Sequence, residues 1–489
     1  MAESTPLTKA KLLGGTTWIA LAEATMLPTG FLTVLFLTRY LGPADYGLFA
    51  LASTLVTWIE WSINSIFSRT TVKLIGDVAD WRTVASVVLR AQLGCSLLAA
   101  LVLALGAPAM AGGLREPALT PLLWLFALEI PLFNLTQAHQ NILAGLGRFG
   151  QRAAATASRW IARLLLIVLL VQQGLSLSGA AIGCLGALLV SLVVCRWAVQ
   201  PPLFYPQGIP AKRLMGYAAP LFFSALAMRL YGQGYLIALK ALGGTARQAG
   251  LYAIAQNLSL LGGVLAPALA PVLLTKLGQL SRQEKLPRIR QLSRVAMRGV
   301  FLHLPLAGIV LGSAPELVDS LFGDGYGAAA APFRLLLLAA IAGVMMTVNS
   351  TILLAADRPR WLLWLTAPLP LLALAGQWLW VPRWGETGAA TATLVTALIG
   401  AIAGLIVVYL QCGIRPPLAT AGRSTIACGL LWLAAATWPA SGAALLLKLG
   451  GLGAVSPLLL VLLGEFSQAD RALVRQVLAD VRRKYTPNF

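Results

Sequence analysis

The chain has 489 residues, 11% of them charged and 58% apolar, with a mean hydropathy of +0.79. Soluble domains carry about 25% charged residues, so this composition excludes a soluble globular protein and a disordered chain alike. The net charge of +20 comes from 37 Lys and Arg against 17 Asp and Glu; in so apolar a chain it points to basic cytoplasmic loops and not to nucleic acid as a partner.

The apolar residues fall in blocks of roughly 20, the length that crosses a bilayer as a helix. A window of about 19 residues places spans near 14–37, 45–68, 88–110, 118–140, 154–172, 175–197, 214–238, 249–274, 294–313, 331–354, 360–381, 388–411, 422–438 and 442–464. The expected fold is an all-α polytopic membrane protein of about 14 transmembrane helices. An outer-membrane barrel does not fit, because its segments of about 10 residues alternate polar with apolar. The first span is long and carries Glu23, so it is not read as a cleavable signal.

With the N-terminus inside, 27 Lys and Arg fall on the cytoplasmic side, seven on the other and three within spans. The basic loop around 276–298 alone contributes seven. The asymmetry predicts two cytoplasmic termini. Lys240 and Lys448, near the outer surface, read as interface anchors. Beyond Glu465, Leu473, Val474, Val477, Leu478 and Val481 share one helix face, with Arg475, Arg482, Arg483 and Lys484 elsewhere. This predicts a basic amphipathic helix over 466–489, resting on anionic lipids or docked on the protein's own loops.

The chain also resembles itself. Gly47-Leu48-Phe49-Ala50-Leu51-Ala52 matches Gly250-Leu251-Tyr252-Ala253-Ile254-Ala255 at an offset of 203, and Ile142–Arg148 matches Ile352–Arg358 at 210. The repeat unit is about six spans, an even number, so the two copies share one orientation and an axis along the membrane normal would relate them. This divides the chain into an N-terminal lobe (1–205, helices 1–6), a C-terminal lobe (206–412, helices 7–12), two added helices (413–465) and the basic tail (466–489). Repeats of this kind place a substrate site between lobes that rock, which argues for a transporter.

Six charges lie inside spans: Glu23, Glu60, Glu129, Arg159, Arg163 and Arg229. Each costs roughly 2.5–3.5 kcal/mol at the bilayer centre unless paired or hydrated. Arg159 and Arg163 are four apart and share a helix face. One reading is a cationic cavity for an anionic substrate, with Arg163, Arg229 and Arg159 as ligands. Glu129, Glu60 and Glu23 are then candidate ion-coupling sites. The other reading is structural ion pairing, with snorkelling open to Glu23, Glu60 and Arg159 near the cytoplasmic ends. Asn134, Gln137, Gln233 and Asn257 are candidates for sugar hydroxyls, although interhelical hydrogen bonding is the plainer reading. No ATP-binding loop, catalytic motif or metal-ligand cluster is present, so no enzyme activity, cofactor or metal is expected.

Arg39-Tyr40-Leu41-Gly42-Pro43-Ala44-Asp45-Tyr46-Gly47 resembles the R-x-L-G-P-x-x-Y-G pattern of bacterial polysaccharide transporters. Gly250-Leu251-Tyr252 through Pro267 and Pro271 is similar to their eighth span, and Leu321-Phe322-Gly323-Asp324-Gly325-Tyr326 to their L-F-G-x-x-Y loop. The resemblance implies the multidrug/oligosaccharidyl-lipid/polysaccharide exporter superfamily and, within it, the oligosaccharide flippases. It implies an inner-membrane protein that flips undecaprenyl-pyrophosphate-linked O-antigen, capsule or exopolysaccharide units by alternating access. An ion gradient or membrane potential would drive it, with a polysaccharide polymerase or export complex as partner. A multidrug and toxin extrusion antiporter, a lipid II flippase and a non-transporting synthase subunit stay open as alternatives.

Overall fold

The computed structural model describes residues 9–78, 80–205, 234–263, 265–282, 286–323 and 325–465. Among them the structure is helical, with no strand. Segment 206–233, with Arg229 and Gln233, and the expected basic helix over 466–489 lie outside the described residues, as does the side chain of Glu23.

Every span placed by hydropathy outside 206–233 falls on helix. Eight stretches among the described residues are long and apolar enough to cross a membrane. Two of them, Phe149–Ala198 and Arg360–Cys412, run 50 and 53 residues. At about 1.5 Å rise per residue, each is long enough to cross a core of about 30 Å twice. The chain turns inside them at Gly174 (φ 88°) and Gly385 (φ 52°). Helix α1 (Lys9–Asp77) turns likewise at Gly42 (φ 75°, ψ 172°), where Pro43 opens the continuing segment. Glycine reaches the positive φ without penalty, and proline suits a first helical position.

The second pair of repeat segments ends in one local structure. After α4 (Glu129–Gly145), Arg148 donates its backbone N–H to Leu143 (2.8 Å) and Leu146 to Ile142 (2.9 Å). After the Ala330–Ala355 helix, Arg358 donates to Leu353 (2.9 Å) and Ala356 to Ile352 (2.9 Å). Gly147 (φ 70°) and Asp357 (φ 56°) hold the left-handed position in each. Both copies therefore stop their helix with the same left-handed cap.

The chain forms two compact units: Met1–Asn257 with Ala373–Ala389, and Leu258–Leu372 with Ala390–Phe489. In the first, α4 is the buried helix, packed against α1, α2 (Trp81–Gly113) and α6 (Ser176–Ala198). Leu97, Leu98, Leu101, Val102 and Leu105 stand exposed along one face of α2, the face a bilayer would cover. Helix α5 (Phe149–Leu170) lies close on α6 because Gly179, Gly183 and Gly186 leave no room for a side chain beside Leu170, Ile167 and Leu166. Small residues let membrane helices approach in this way.

In the second unit, the Leu304–Gly312 helix packs on the Leu418–Thr437 helix through Gly308 and Gly312, which face Cys428 and Trp432. Lys448 is fully buried, and its ammonium donates to Glu316 at 2.9 Å. Further along the chain, Glu465 accepts from Arg298 (2.7 Å), Thr420 (2.6 Å) and Arg423 (3.4 Å). The two added helices are thus fastened at both ends of the Ala443–Leu462 helix. This corrects the reading of Lys448 as a surface anchor. Lys240, in the first unit, is corrected in the same way: it is buried and donates to Glu116 at 2.7 Å. A buried ammonium needs a counter-charge, and each lysine has found one.

Candidate functional site

Four of the in-span charges meet in the first unit. Glu60 comes from α1, Glu129 from the first turn of α4, and Arg159 and Arg163 from α5. They lie within one another's electrostatic reach. Helix geometry places them there. At about 100° per residue, Arg159 and Arg163 point away from Ile161 and Leu165, which stand exposed on the opposite face of α5. Leu128, itself in helical conformation (φ −70°, ψ −23°), joins α3 (Leu119–Ala127) to α4 just before Glu129.

The carboxylates are withdrawn from the surface, Glu60 at 2% exposure and Glu129 at 8%. Yet among the described residues no carboxylate of this group forms an ion pair within 4 Å of either arginine. Glu60 Oε1 and Arg163 Nε are buried without a hydrogen-bond partner there. Glu60 is enclosed by protein, whereas a snorkelling side chain keeps its charged head exposed.

Aromatic rings lie against the arginines instead. The Arg159 guanidinium lies 5.0 Å from the Phe133 ring centre and 5.8 Å from that of Trp160. The Arg163 guanidinium lies 5.6 Å from the Trp160 ring centre and within electrostatic reach of Cys184 on α6. Ring faces attract a cation without neutralising it. Tyr46, buried on α1, is within electrostatic reach of Arg163.

The amides divide differently. Asn134 is fully buried; it accepts from Gln92 on α2 (3.2 Å) and donates to the Ile130 carbonyl (2.9 Å). Asn141 donates to Asn64 on α1 at 3.2 Å. Asn257 donates to the Tyr46 hydroxyl (3.3 Å) and to the Ala253 carbonyl (2.9 Å). Gln137 is 9% exposed on the same buried helix. Asn134 and Asn257 thus serve as ties between helices. Phe133, Trp160 and Cys184 were not among the residues singled out by sequence, and Tyr46 was named only within the R-x-L-G-P-x-x-Y-G pattern. Trp160 sits between the two arginines in sequence, and that adjacency was the available signal.

A cluster of charges within the helices of a membrane protein is by default a candidate functional site. The comparisons place the chain further. The family model described as "Polysaccharide biosynthesis protein" matches residues 36–331, and the chain belongs to that family. No curated protein sequence matches significantly. Among solved structures, "Lipid II flippase MurJ, inward closed conformation" is 13% identical, with 93% of this chain and 99% of that one covered and a TM-score of 0.74. An inward-facing multidrug resistance MATE family transporter of the MOP superfamily is 15% identical over 80% and 94%, with a TM-score of 0.63. A Vibrio cholerae MATE transporter is 16% identical over 82% and 97%, at 0.57. At these identities the likeness establishes the fold.

Proposed function

We propose that the chain moves an undecaprenyl-pyrophosphate-linked oligosaccharide from the cytoplasmic to the periplasmic leaflet of a bacterial inner membrane. The cargo would be an O-antigen, capsule or exopolysaccharide repeat unit, moved by alternating access. The observation that carries this reading is Arg159 and Arg163, half-buried beside two buried glutamates with, among the described residues, no ion pair closing on them, in a polysaccharide biosynthesis family member. A guanidinium fork binds phosphate oxygens bidentately, and ring-stacked arginines keep that capacity. Glu60 and Glu129 are the ion-coupling candidates, through which a gradient or the membrane potential acts. Arg229 and Glu23 stay in the proposal on their sequence depth. Of the sugar-contact candidates, Gln137 and Gln233 remain, since Asn134 and Asn257 are engaged in holding helices. Both termini would face the cytoplasm, and a polysaccharide polymerase or export complex would take the product.

Lipid II is the second reading, favoured by the solved flippase of that description at a TM-score of 0.74. The test is reconstitution in proteoliposomes, offering a short undecaprenyl-pyrophosphate-linked oligosaccharide, lipid II and a cationic drug in parallel. Movement of the first alone supports the proposal. Movement of lipid II alone supports the second reading, and drug movement alone overturns both.

A further inference from the structure

The Leu286–Phe301 helix of the second unit carries Arg290, Arg294 and Arg298 at successive four-residue steps, on one face. That face lines a cavity of about 230 Å³ together with Pro287, Gln291 and Val295. One water takes about 30 Å³ in the liquid, so there is room for a group of several heavy atoms. Arg298 is committed: its Nε and one Nη donate to the side chain and backbone carbonyl of Glu465. Arg290 and Arg294 are exposed and, among the described residues, make no hydrogen bond or ion pair. Leu286 (61% exposed) and Val295 (57% exposed) set apolar surface beside the cationic one.

We propose that this cavity is a binding site for the phosphate headgroup of an anionic phospholipid of the leaflet facing the basic loops. Three features decide the class of ligand. Two exposed guanidinium forks converge on a space too small for a sugar chain, and phosphate is the anion their geometry fits. Leucine and valine at the rim would meet acyl chains, as at a membrane surface. The chain's own tail is a poor occupant: over 466–489 it holds Arg471, Arg475, Arg482, Arg483 and Lys484 against Asp470 and Asp480, so it repels the pocket. Glu465 fixes Arg298 at one end of the cavity, so a bound headgroup would bear on the Glu465 clasp that fastens the added helices.

The site does not depend on which cargo the transporter carries, and its test is separate. Purified full-length protein would be titrated with phosphatidylglycerol, cardiolipin and phosphatidylethanolamine, and bound lipid read by native mass spectrometry. The anionic lipids should bind selectively, and R290Q/R294Q should weaken them roughly 10- to 30-fold, the loss expected of two surface arginine contacts. The charge-matched variant R288Q/R360Q removes two exposed arginines that do not line the cavity and should bind as wild type. R290K/R294K should bind at an intermediate level, charge kept and fork lost. Equal weakening in R288Q/R360Q, or no preference for anionic lipid, would overturn the site. A further titration with undecaprenyl pyrophosphate separates the sources of phosphate. If it alone is retained, with the R290Q/R294Q loss, the phospholipid assignment is overturned in favour of the cargo's diphosphate.

Discussion

Gly47 and Gly250 hold the same place in the two repeat segments, and in the first unit they lie against each other. A methyl group on Gly47 would overlap the Ala246 carbonyl, and one on Gly250 would overlap the Pro43 carbonyl. Two turns further along, Asn257 donates to the hydroxyl of Tyr46, the residue before Gly47. The seam therefore runs from the Gly42–Pro43 corner to Tyr46, which lies within electrostatic reach of Arg163.

The seam predicts that G47A and G250A each destabilise the protein by about 1–3 kcal/mol, the usual effect of overpacking a close contact. Gly30, on the same helix with open space around it, supplies the comparison. G30A should be neutral or slightly stabilising, because alanine is the better helix former. Thermal unfolding in detergent, followed by tryptophan fluorescence, reads all three. Equal behaviour of the three variants would mean the seam is loose.

Lys448 and Glu316 form a pair in which the lysine is wholly buried and the carboxylate about one-fifth exposed. Removing one partner of such a pair costs about 3–5 kcal/mol, since the other charge is left uncompensated. K448M should therefore lower the melting temperature sharply. K448M/E316L should recover most of the loss, as apolar replacements of buried pairs commonly do. A double variant as unstable as the single one would show that the lysine's packing matters more than its charge.

Asp80 caps α2 by accepting from the Arg82 backbone N–H (3.1 Å), and it accepts the Tyr205 hydroxyl at 2.5 Å. The Tyr205 hydrogen bond outweighs an opposing desolvation and, helped by the Arg82 backbone N–H and charge, holds the Asp80 carboxyl below the ordinary carboxylate range. A depressed folded-state pKa contributes stability above the unfolded value, lost as pH falls through the folded one. The tie between segment 199–205 and α2 should thus persist at pH 5 and release below about 4. Y205F lacks the hydroxyl and should show the released pattern already at pH 5. Hydrogen exchange across 80–86 and 199–205 would follow it, and a pH-independent pattern would count against the tie.

Much of this arrangement was legible in the sequence, because membrane spans announce themselves by length and hydropathy, and Gly42-Pro43 announces a corner. The match of Ile142–Arg148 to Ile352–Arg358 was legible as well, whereas the left-handed cap that Gly147 and Asp357 give them is a feature of the structure. The lysines were not. Lys240 and Lys448 read as anchors since their partners Glu116 and Glu316 lie 124 and 132 residues away, and no local spacing reports such a pairing. Thr245 was a missed local signal: with Gln248 it forms a reciprocal capping box before the Ala246–Gly263 helix, at 2.9 and 3.2 Å. The charged cluster was half legible. Depth in a span identified Glu60, Glu129, Arg159 and Arg163, whereas the rings that hold the arginines became visible only once α4, α5 and α6 were packed.

The glutamates carry a separable expectation. If Glu60 and Glu129 couple ion movement to transport, E60Q and E129Q should retain folded protein and lose the stimulation that an imposed gradient gives to wild type. A mixed charge cluster inside a membrane protein is the usual site of such coupling. Transport measured with and without a proton or sodium gradient distinguishes the cases. Stimulation undiminished in both variants would assign the carboxylates to structure.

The most direct measurement of the central claim is leaflet access in proteoliposomes. Protein is reconstituted with an undecaprenyl-pyrophosphate-linked oligosaccharide, and an external glycan-modifying enzyme reports the fraction of lipid it reaches. Wild type should expose the inner-leaflet pool. R163A and R159A should slow that exposure roughly 10- to 100-fold, matching the about 1.5–3 kcal/mol of a hydrogen bond to a charged group. Access at the wild-type rate in both folded variants would contradict the assignment of Arg159 and Arg163 to the diphosphate, and no access in wild type would contradict the flippase itself.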